Sequence, residues 1–318
     1  MKNVLLFTDP GIDDSVALIY CILHQDINLV GVVASYGNVT KEQAIENANY
    51  LLEIGNLEKI PVIRGAEGPL TGDATVYYPE IHGPEGLGPI RPPETVSGKF
   101  LPFSSIFKII KAFENDITIV DIGRNTTLAM TFLLESDLMQ KVNEFFLMGG
   151  AFLVPGNVTP LAEANVYGDP TATKIVLSSA QNVSLFPLNV TRYAYVTSSM
   201  AEIIRQQSKN PFRTLVPKVI NYYIKVYEKL VPGIPGAPIH DVISISALVN
   251  PELCSFIYKT VVVDDIIGPG LGVTIADFRP GSSNLLENST NKVRIAVQFN
   301  YQLFYQDFLD VMTGKIVK

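Results

Sequence analysis

The sequence predicts an α/β fold: a single domain over residues 1–318, with a mostly parallel, doubly wound central sheet and an additional C-terminal region of helices and strands. Three observations predict it. Short apolar, β-branched runs alternate with helical patterns from Val4 to Phe186. Hydrophobic residues make up 47% of the 318, enough to fill the core of one large domain. No linker, internal repeat or low-complexity tract sets the later part of the chain apart from the earlier.

Val4-Leu5-Leu6-Phe7 is an apolar run that stops at Thr8-Asp9, too short for a signal-peptide core or a spanning helix, and it reads as a strand near 4–8. A helix near 15–23 and a strand near 29–34 follow. The helix near 41–54 opens on Thr40 and Gln43, spaced as a capping box. Strands near 61–63, 117–120, 145–148 and 183–186 continue the series, with helices near 105–113, 127–134 and 171–177. Residues 65–102 are rich in Gly and Pro and contain Tyr77-Tyr78 and His82-Gly83-Pro84-Glu85-Gly86-Leu87-Gly88, which suits a lid, a binding loop or a disordered insert. Past Thr197 the order changes. Helices are expected near 201–208 and 212–230, another beginning at Asp241, strands near 257–263, 273–277 and 293–299, and a last helix near 302–312. Strands in a βαβ series pair in parallel and leave ligands at their carboxyl ends, so functional residues are expected just after strands.

Charge narrows the function. The net charge of −7 opposes a surface that tracks phosphates, because nucleic-acid affinity comes largely from clustered Lys and Arg. Neither a nucleic-acid nor a membrane partner is expected. Cys21 and Cys254 are the two cysteines, so there is no disulfide framework and no thiolate zinc site. Asn-x-Ser/Thr acceptors occur at Asn38, Asn125, Asn157, Asn182, Asn189 and Asn288, several of them among candidate site residues where a glycan would block access. A cytoplasmic location fits both features.

Thr8-Asp9-Pro10-Gly11-Ile12-Asp13-Asp14 follows the first strand and opens the first helix, bringing three carboxylates to one turn. Unpaired, they would raise one another's pKa, and a divalent cation with oxygen ligands is the simplest compensating charge. Taken singly, Asp13 or Asp14 is equally explained as an N-cap. The spacing does not suit a haloacid-dehalogenase-type phosphatase, and the turn lacks the glycines and Lys of a dinucleotide fingerprint or P-loop. Asn38 follows the second strand beside Gly37, where it serves either as a site residue or as a turn residue. After the strand near 145–148 come Gly149-Gly150 and then Asn157, Glu163 and Asn165, amides and a carboxylate suited to sugar hydroxyls. His240-Asp241 precedes an apolar helix and offers a titratable ring beside a ligand or an N-cap.

These residues resemble the inosine-uridine-preferring nucleoside hydrolase family along essentially the whole chain. The Asp-rich turn at 8–14 carries the likeness most specifically, supported by Met148-Gly149-Gly150, by Gly156-Asn157-Val158-Thr159-Pro160 running to Glu163 and Asn165, and by His240-Asp241. The resemblance implies Ca2+-dependent hydrolysis of the N-glycosidic bond of ribonucleosides, purine or pyrimidine, to ribose and free base. It implies a Ca2+ ligated by Asp9, Asp14, Asp241 and the main-chain carbonyl of Thr126, with Asp9 also accepting the proton of a metal-bound water. Asp13 and Asn165 match positions that hold the ribose 2′- and 3′-hydroxyls, and Asn157 and Glu163 positions near the 5′-hydroxyl. Asn38 matches a position beside the nucleophilic water, and His240 a leaving-base acid. For the base itself, His82 and, on one helix pattern, Tyr222, Tyr223 and Tyr227 are within reach, although at least one of these tyrosines is expected in the core. The family commonly has Gly-Pro-Leu-Thr-Asn where this chain has Gly123-Arg124-Asn125-Thr126-Thr127, which puts the loop path in question. A homodimer or homotetramer is expected. The alternative is a nucleoside- or ribose-binding protein that retains the cation without turnover; a Mg2+-dependent phosphoacceptor module is a poorer fit to a chain this long.

Overall fold

β1 (Lys2–Thr8) is buried on both faces from Val4 onward, as a continuous apolar run requires. It lies at the centre of the computed structural model, which describes residues 1–93, 99–280 and 291–315. Residues 94–98 of the long loop and the acceptor at Asn288 lie outside the described residues. The further strands are β2 (Ile27–Ala34), β3 (Val62–Arg64), β4 (Ile117–Asp121), β5 (Glu144–Met148), β6 (Val183–Phe186), β7 (Tyr195–Val196), β8 (Ala237–Pro238), β9 (Cys254–Lys259), β10 (Val262–Val263), β11 (Thr274–Ile275) and β12 (Val293–Phe299). The first helices are α1 (Ile12–Leu23), α2 (Lys41–Ile54), α3 (Pro79–His82), α4 (Ser105–Ala112), α5 (Thr126–Leu134), α6 (Ser136–Met139) and α7 (Ala164–Gly168). Then come α8 (Pro170–Ser179), α9 (Leu188–Thr191), α10 (Ser198–Gln207), α11 (Leu215–Leu230), α12 (Val242–Val249) and α13 (Tyr301–Thr313).

Among the described residues the main sheet has eight strands in the order β3-β2-β1-β4-β5-β6-β12-β9. All of its pairings are parallel except that of β12 with β9. The mostly parallel, doubly wound sheet is therefore as the alternation predicts. Successive residues of β1 face opposite layers: Val4 and Leu6 join one apolar cluster, Leu5 and Phe7 the other. Helices α1, α2 and α10 to α13 cover the first face, and α4, α5 and α8 the second.

The chain order reverses between β1 and β4, and at such a switch point the helices that follow the two strands run to opposite faces and leave a crevice at the carboxyl ends. The register aligns these ends: Thr8 pairs with Ala34, and Phe7 with Asp121. Asp9, Gly37-Asn38 and Gly123-Arg124 thus leave the sheet on one edge.

Two expectations are corrected. The strand near 257–263 is two strands, because the apolar run changes partner: β9 pairs with β12 and ends at Lys259, and β10 forms a separate ribbon with β11. The first helix begins at Ile12, three residues before the expected 15, because Gly11 takes the N-cap position.

Candidate active site

Two glycines, Gly37 and Gly123, make room for Asp9, which follows β1 directly, and Gly11 makes room for its neighbours. A Cβ on Gly37 or on Gly123 would collide with its carboxylate, and one on Gly11 would lie 2.9 Å from Asn38 Nδ2 and 2.6 Å from His82 Nδ1. Asp9 Oδ2 accepts the backbone N–H of Asn38 at 2.5 Å, whereas Oδ1 is buried with no hydrogen-bond partner. Burial, and then the Asp14 charge, push its pKa well above the ordinary carboxylate value.

Asp13 and Asp14 stand in the first turn of α1, and neither is its N-cap. Asp14 accepts from Thr8 Oγ1 at 2.7 Å, Asp9 N at 3.2 Å, Gly11 N at 3.3 Å and Asn38 Nδ2 at 2.8 Å, so both of its oxygens are fixed. Asp241 comes from the far end of the chain and occupies the N-cap of α12 without making a cap hydrogen bond. Asp13, Asp14 and Asp241 each bring an oxygen within 4.8 Å of the others, and all three are buried. Asp13 Oδ1 has no hydrogen-bond partner. Burial, and then Asp14, raise Asp13 to about 8; burial, and then Asp13, Asp14 and Asp9, raise Asp241 well above its usual value. Buried carboxylates with orphaned oxygens are the donor set of a hard divalent cation, which would return all of them to the ionised state.

Thr126 opens α5. Its hydroxyl donates to Asp169 Oδ2 at 2.7 Å and meets the Tyr36 hydroxyl at 2.8 Å, so its side chain is committed to those two partners. The unusual loop is braced by its own side chains: Asn125 donates to Asp121 Oδ2 at 2.9 Å and accepts from Thr173 Oγ1 at 3.0 Å. Arg124 donates to Val76 O at 2.7 Å and lies 5.0 Å from the centre of the Tyr36 ring.

A cavity of about 780 Å³ opens above the carboxylates. Asp13, Asn38, Asn157, Glu163, Asn165, Tyr223, Tyr227, His82, His240 and Asp241 line it, so ten of the fourteen residues singled out in the sequence meet in one space. Asp9, Asp14 and Thr126 lie behind that surface. Asn165 donates to Ile122 O at 2.8 Å and Met148 O at 3.3 Å, which leaves its carbonyl oxygen for a ligand. Glu163 is the N-cap of α7, and its carboxylate accepts from Gly150 N, Asn165 N and Val166 N at 2.9 to 3.1 Å. Asn157 accepts from Ala164 N at 2.9 Å.

Beside the cluster, His82 Nδ1 lies 3.9 Å from Asp13 Oδ1 and accepts the Ile12 N–H at 3.0 Å, which puts any single proton on Nε2, and burial lowers the ring to about 3. Its ring lies 5.8 Å from Tyr223, which meets Tyr227 edge-on at 4.9 Å. His240 Nδ1 bonds with Thr191 Oγ1 at 2.9 Å, and burial, then Arg192, lower it to about 4. Both rings are neutral at pH 7. Tyr222 lies against Gly88 and off the cavity, whereas Tyr223 belongs to the buried core and also lines the cavity, so the core expectation is met at Tyr223.

Asp121 was not among the expected site residues; its carboxyl is buried at the end of β4 and raised to about 8, chiefly by burial. The rule that found Asp9, a polar residue just after a parallel strand, would have found it. Arg192, Tyr195 and Pro238 on the cavity wall come from short elements with no periodic signal.

Comparison with known proteins gives a consistent result. The family model described as inosine-uridine preferring nucleoside hydrolase matches residues 4–306. Uridine nucleosidase 1 of Arabidopsis thaliana is 31% identical over 82% of this chain and 77% of its own. The pyrimidine-specific ribonucleoside hydrolase RihA of Escherichia coli is 31% identical over 86% of this chain and 88% of its own. Among solved structures, a purine-preferring ribonucleoside hydrolase from Gardnerella vaginalis superposes with a TM-score of 0.90 at 27% identity, covering 98% of each chain.

Proposed function

The chain belongs to the inosine-uridine preferring nucleoside hydrolase family and hydrolyses N-glycosyl bonds, and on that premise we propose that it cleaves ribonucleosides to ribose and free base with Ca2+ as its cation. The observation that carries the reading is the buried group Asp13, Asp14 and Asp241 under a cavity lined by amides. In this reading Asp9, Asp14, Asp241 and the Thr126 carbonyl hold the cation, while Asp13 and Asn165 receive the ribose 2′- and 3′-hydroxyls. The orphaned oxygens of Asp9 and Asp13 support both assignments. A divalent cation held there would supply Lewis acidity, lowering the pKa of a bound water.

The residues of the chain do the rest. Asp9 Oδ1 accepts the proton of the attacking water, and Asn38, bonded to both Asp9 and Asp14, holds that corner rigid. Carboxylates around the ring stabilise the positive charge that develops on the sugar as the bond to the base lengthens. Asn157 and Glu163 fence the 5′ side. Tyr223, Tyr227 and His82 provide an aromatic slot for the base, and His240, neutral at pH 7, assists its departure by donating a hydrogen bond from its ring N–H. Uridine is the first substrate to expect, because the two relatives at 31% identity are named for uridine and for pyrimidine ribonucleosides.

This reading takes residues 1–318 as one domain, supported by the pairing of β12, from the late region, with β6. A homodimer or homotetramer is supported by the exposed Leu153, Leu161, Ile266, Ile267 and Ile275, the first two and the last of which flank an apolar groove. A cytoplasmic location is supported by Cys21 and Cys254, both buried and neither in a disulfide. No helix among the described residues is long and apolar enough to cross a membrane.

The test is reducing-sugar release from uridine, cytidine, inosine, guanosine and 2′-deoxyuridine. We expect turnover of ribonucleosides and a rate on the deoxynucleoside lower by a factor of about 100 or more, since a site built around a hydroxyl penalises its absence. Equal rates on uridine and 2′-deoxyuridine would remove the ribose diol from the carboxylate cluster.

A further inference from the structure

Asp307 lies on α13, is buried and has no part in the cavity wall. Its Oδ2 accepts the hydroxyl of Tyr20 at 2.6 Å and that of Ser246 at 2.7 Å, and its Oδ1 accepts Asn250 Nδ2 at 2.8 Å. The donors come from two other helices. Tyr20 is on α1, about two turns beyond Asp13 and on the same rigid rod. Ser246 is on α12, which opens at Asp241, and Asn250 is the C-cap of that helix. One carboxylate therefore bonds both helices whose first turns supply the buried acidic cluster.

We propose that Asp307 is a positioning residue for the cation site: by tying Tyr20 to Ser246 and Asn250 it fixes the slide of α1 against α12, and so the distance from Asp13 and Asp14 to Asp241. The inference rests on the cation reading above. Apolar contacts between helices are non-directional and tolerate small axial shifts, whereas short hydrogen bonds to a carboxylate do not. Calcium ligands must sit within about 2.3 to 2.6 Å of the ion, so a shift of a fraction of an ångström between the two helices is felt at the site. Burying a carboxylate is costly unless donors replace its water, and here three donors do so while joining the three helices. A side chain that only filled the space would stabilise the bundle without fixing this spacing.

Ca2+ titration of the full-length protein by calorimetry tests the proposal, with Tyr20→Phe, Ser246→Ala and Asp307→Asn measured beside Ile110→Val. The last is a core substitution on α4, on the opposite face of the sheet, and controls for general loss of stability. Cooperative melting identifies the variants that fold. We expect Kd for Ca2+ to rise about ten-fold or more in Asp307→Asn and Tyr20→Phe, the range found for residues that orient metal ligands, and to stay at the wild-type value in Ile110→Val. Wild-type affinity in the folded Tyr20→Phe and Asp307→Asn variants would overturn the proposal while leaving the cation reading intact. If Asp307→Asn does not fold, Tyr20→Phe decides by the same criterion. Failure of the wild-type protein itself to bind Ca2+ would overturn the cation reading and this proposal together.

Discussion

The proposed role of Asp9 in proton transfer rests on what surrounds it: one oxygen fixed by the Asn38 N–H, the other buried and unpartnered, with Gly37 and Gly123 leaving it room. Asp9→Ala should lower kcat by about 1,000-fold or more, in line with the loss of a general base, while circular dichroism and melting show an intact fold. Near-normal turnover in that variant would take the role away from Asp9. His240→Ala should cost more on uridine than on p-nitrophenyl riboside, whose leaving group needs no acid; equal losses would assign His240 to binding. Asp121 gives a pH signature. Its folded pKa of about 8 lies above the ordinary 3.8, so from pH 4 to 8 the folded state keeps a proton that the unfolded state releases. Raising pH across that window therefore destabilises the cation-free protein. Asp121→Asn should make the fall in melting temperature from pH 5 to pH 8 shallower, though not flat, because Asp13 is also raised to about 8. An unchanged slope would mean that Asp121 is already ionised. The carboxylates at 9, 13 and 14 were legible in the sequence because they share one turn. Asp241 was legible only as a His-Asp pair, since its partners lie more than two hundred residues away and contact is made by the fold.

At the scale of elements, the site is built from strand ends and first turns of helices. The glycine at each strand exit decides whether the carboxylate behind it fits. Gly123→Ala would place a methyl against the Asp9 carboxylate and should abolish most turnover with a smaller effect on stability, checked by kinetics and melting on the same sample. Full activity in that variant would mean that the turn yields at no cost. Glu163 joins the loop after β5 to α7 through three backbone N–H groups, and Glu163→Ala would strand them at about 1–3 kcal/mol. We expect KM to rise more than kcat falls, because Asn157 and Asn165 lose their anchor; a pure kcat loss would contradict this. Helix α2 was legible to the residue from its Thr40–Gln43 capping box, which forms. The short helices α3, α7 and α9 were not, because a single turn carries no periodicity and is held by tertiary contacts such as Glu163 itself. The split of the strand near 257–263 was hidden for the same reason: pairing partner, not local pattern, ended β9 at Lys259.

At the scale of the whole molecule, strand order β3-β2-β1-β4-β5-β6 leaves a crevice between β1 and β4, and the sequence carries its most acidic turn just there. The alternation of short apolar runs and helices made this part of the fold readable. The attachment of β12 and β9 beside β6 was not, since it depends on a long return of the chain. The central claim is that this crevice holds a divalent cation and uses it to hydrolyse ribonucleosides. The most direct test is ribose release from uridine by the purified protein, before chelation, after chelation, and after Ca2+ is restored. We expect turnover that is lost with the chelator and recovered with Ca2+. Tight uridine binding with no ribose released in any of the three states, or turnover indifferent to the chelator, would contradict it.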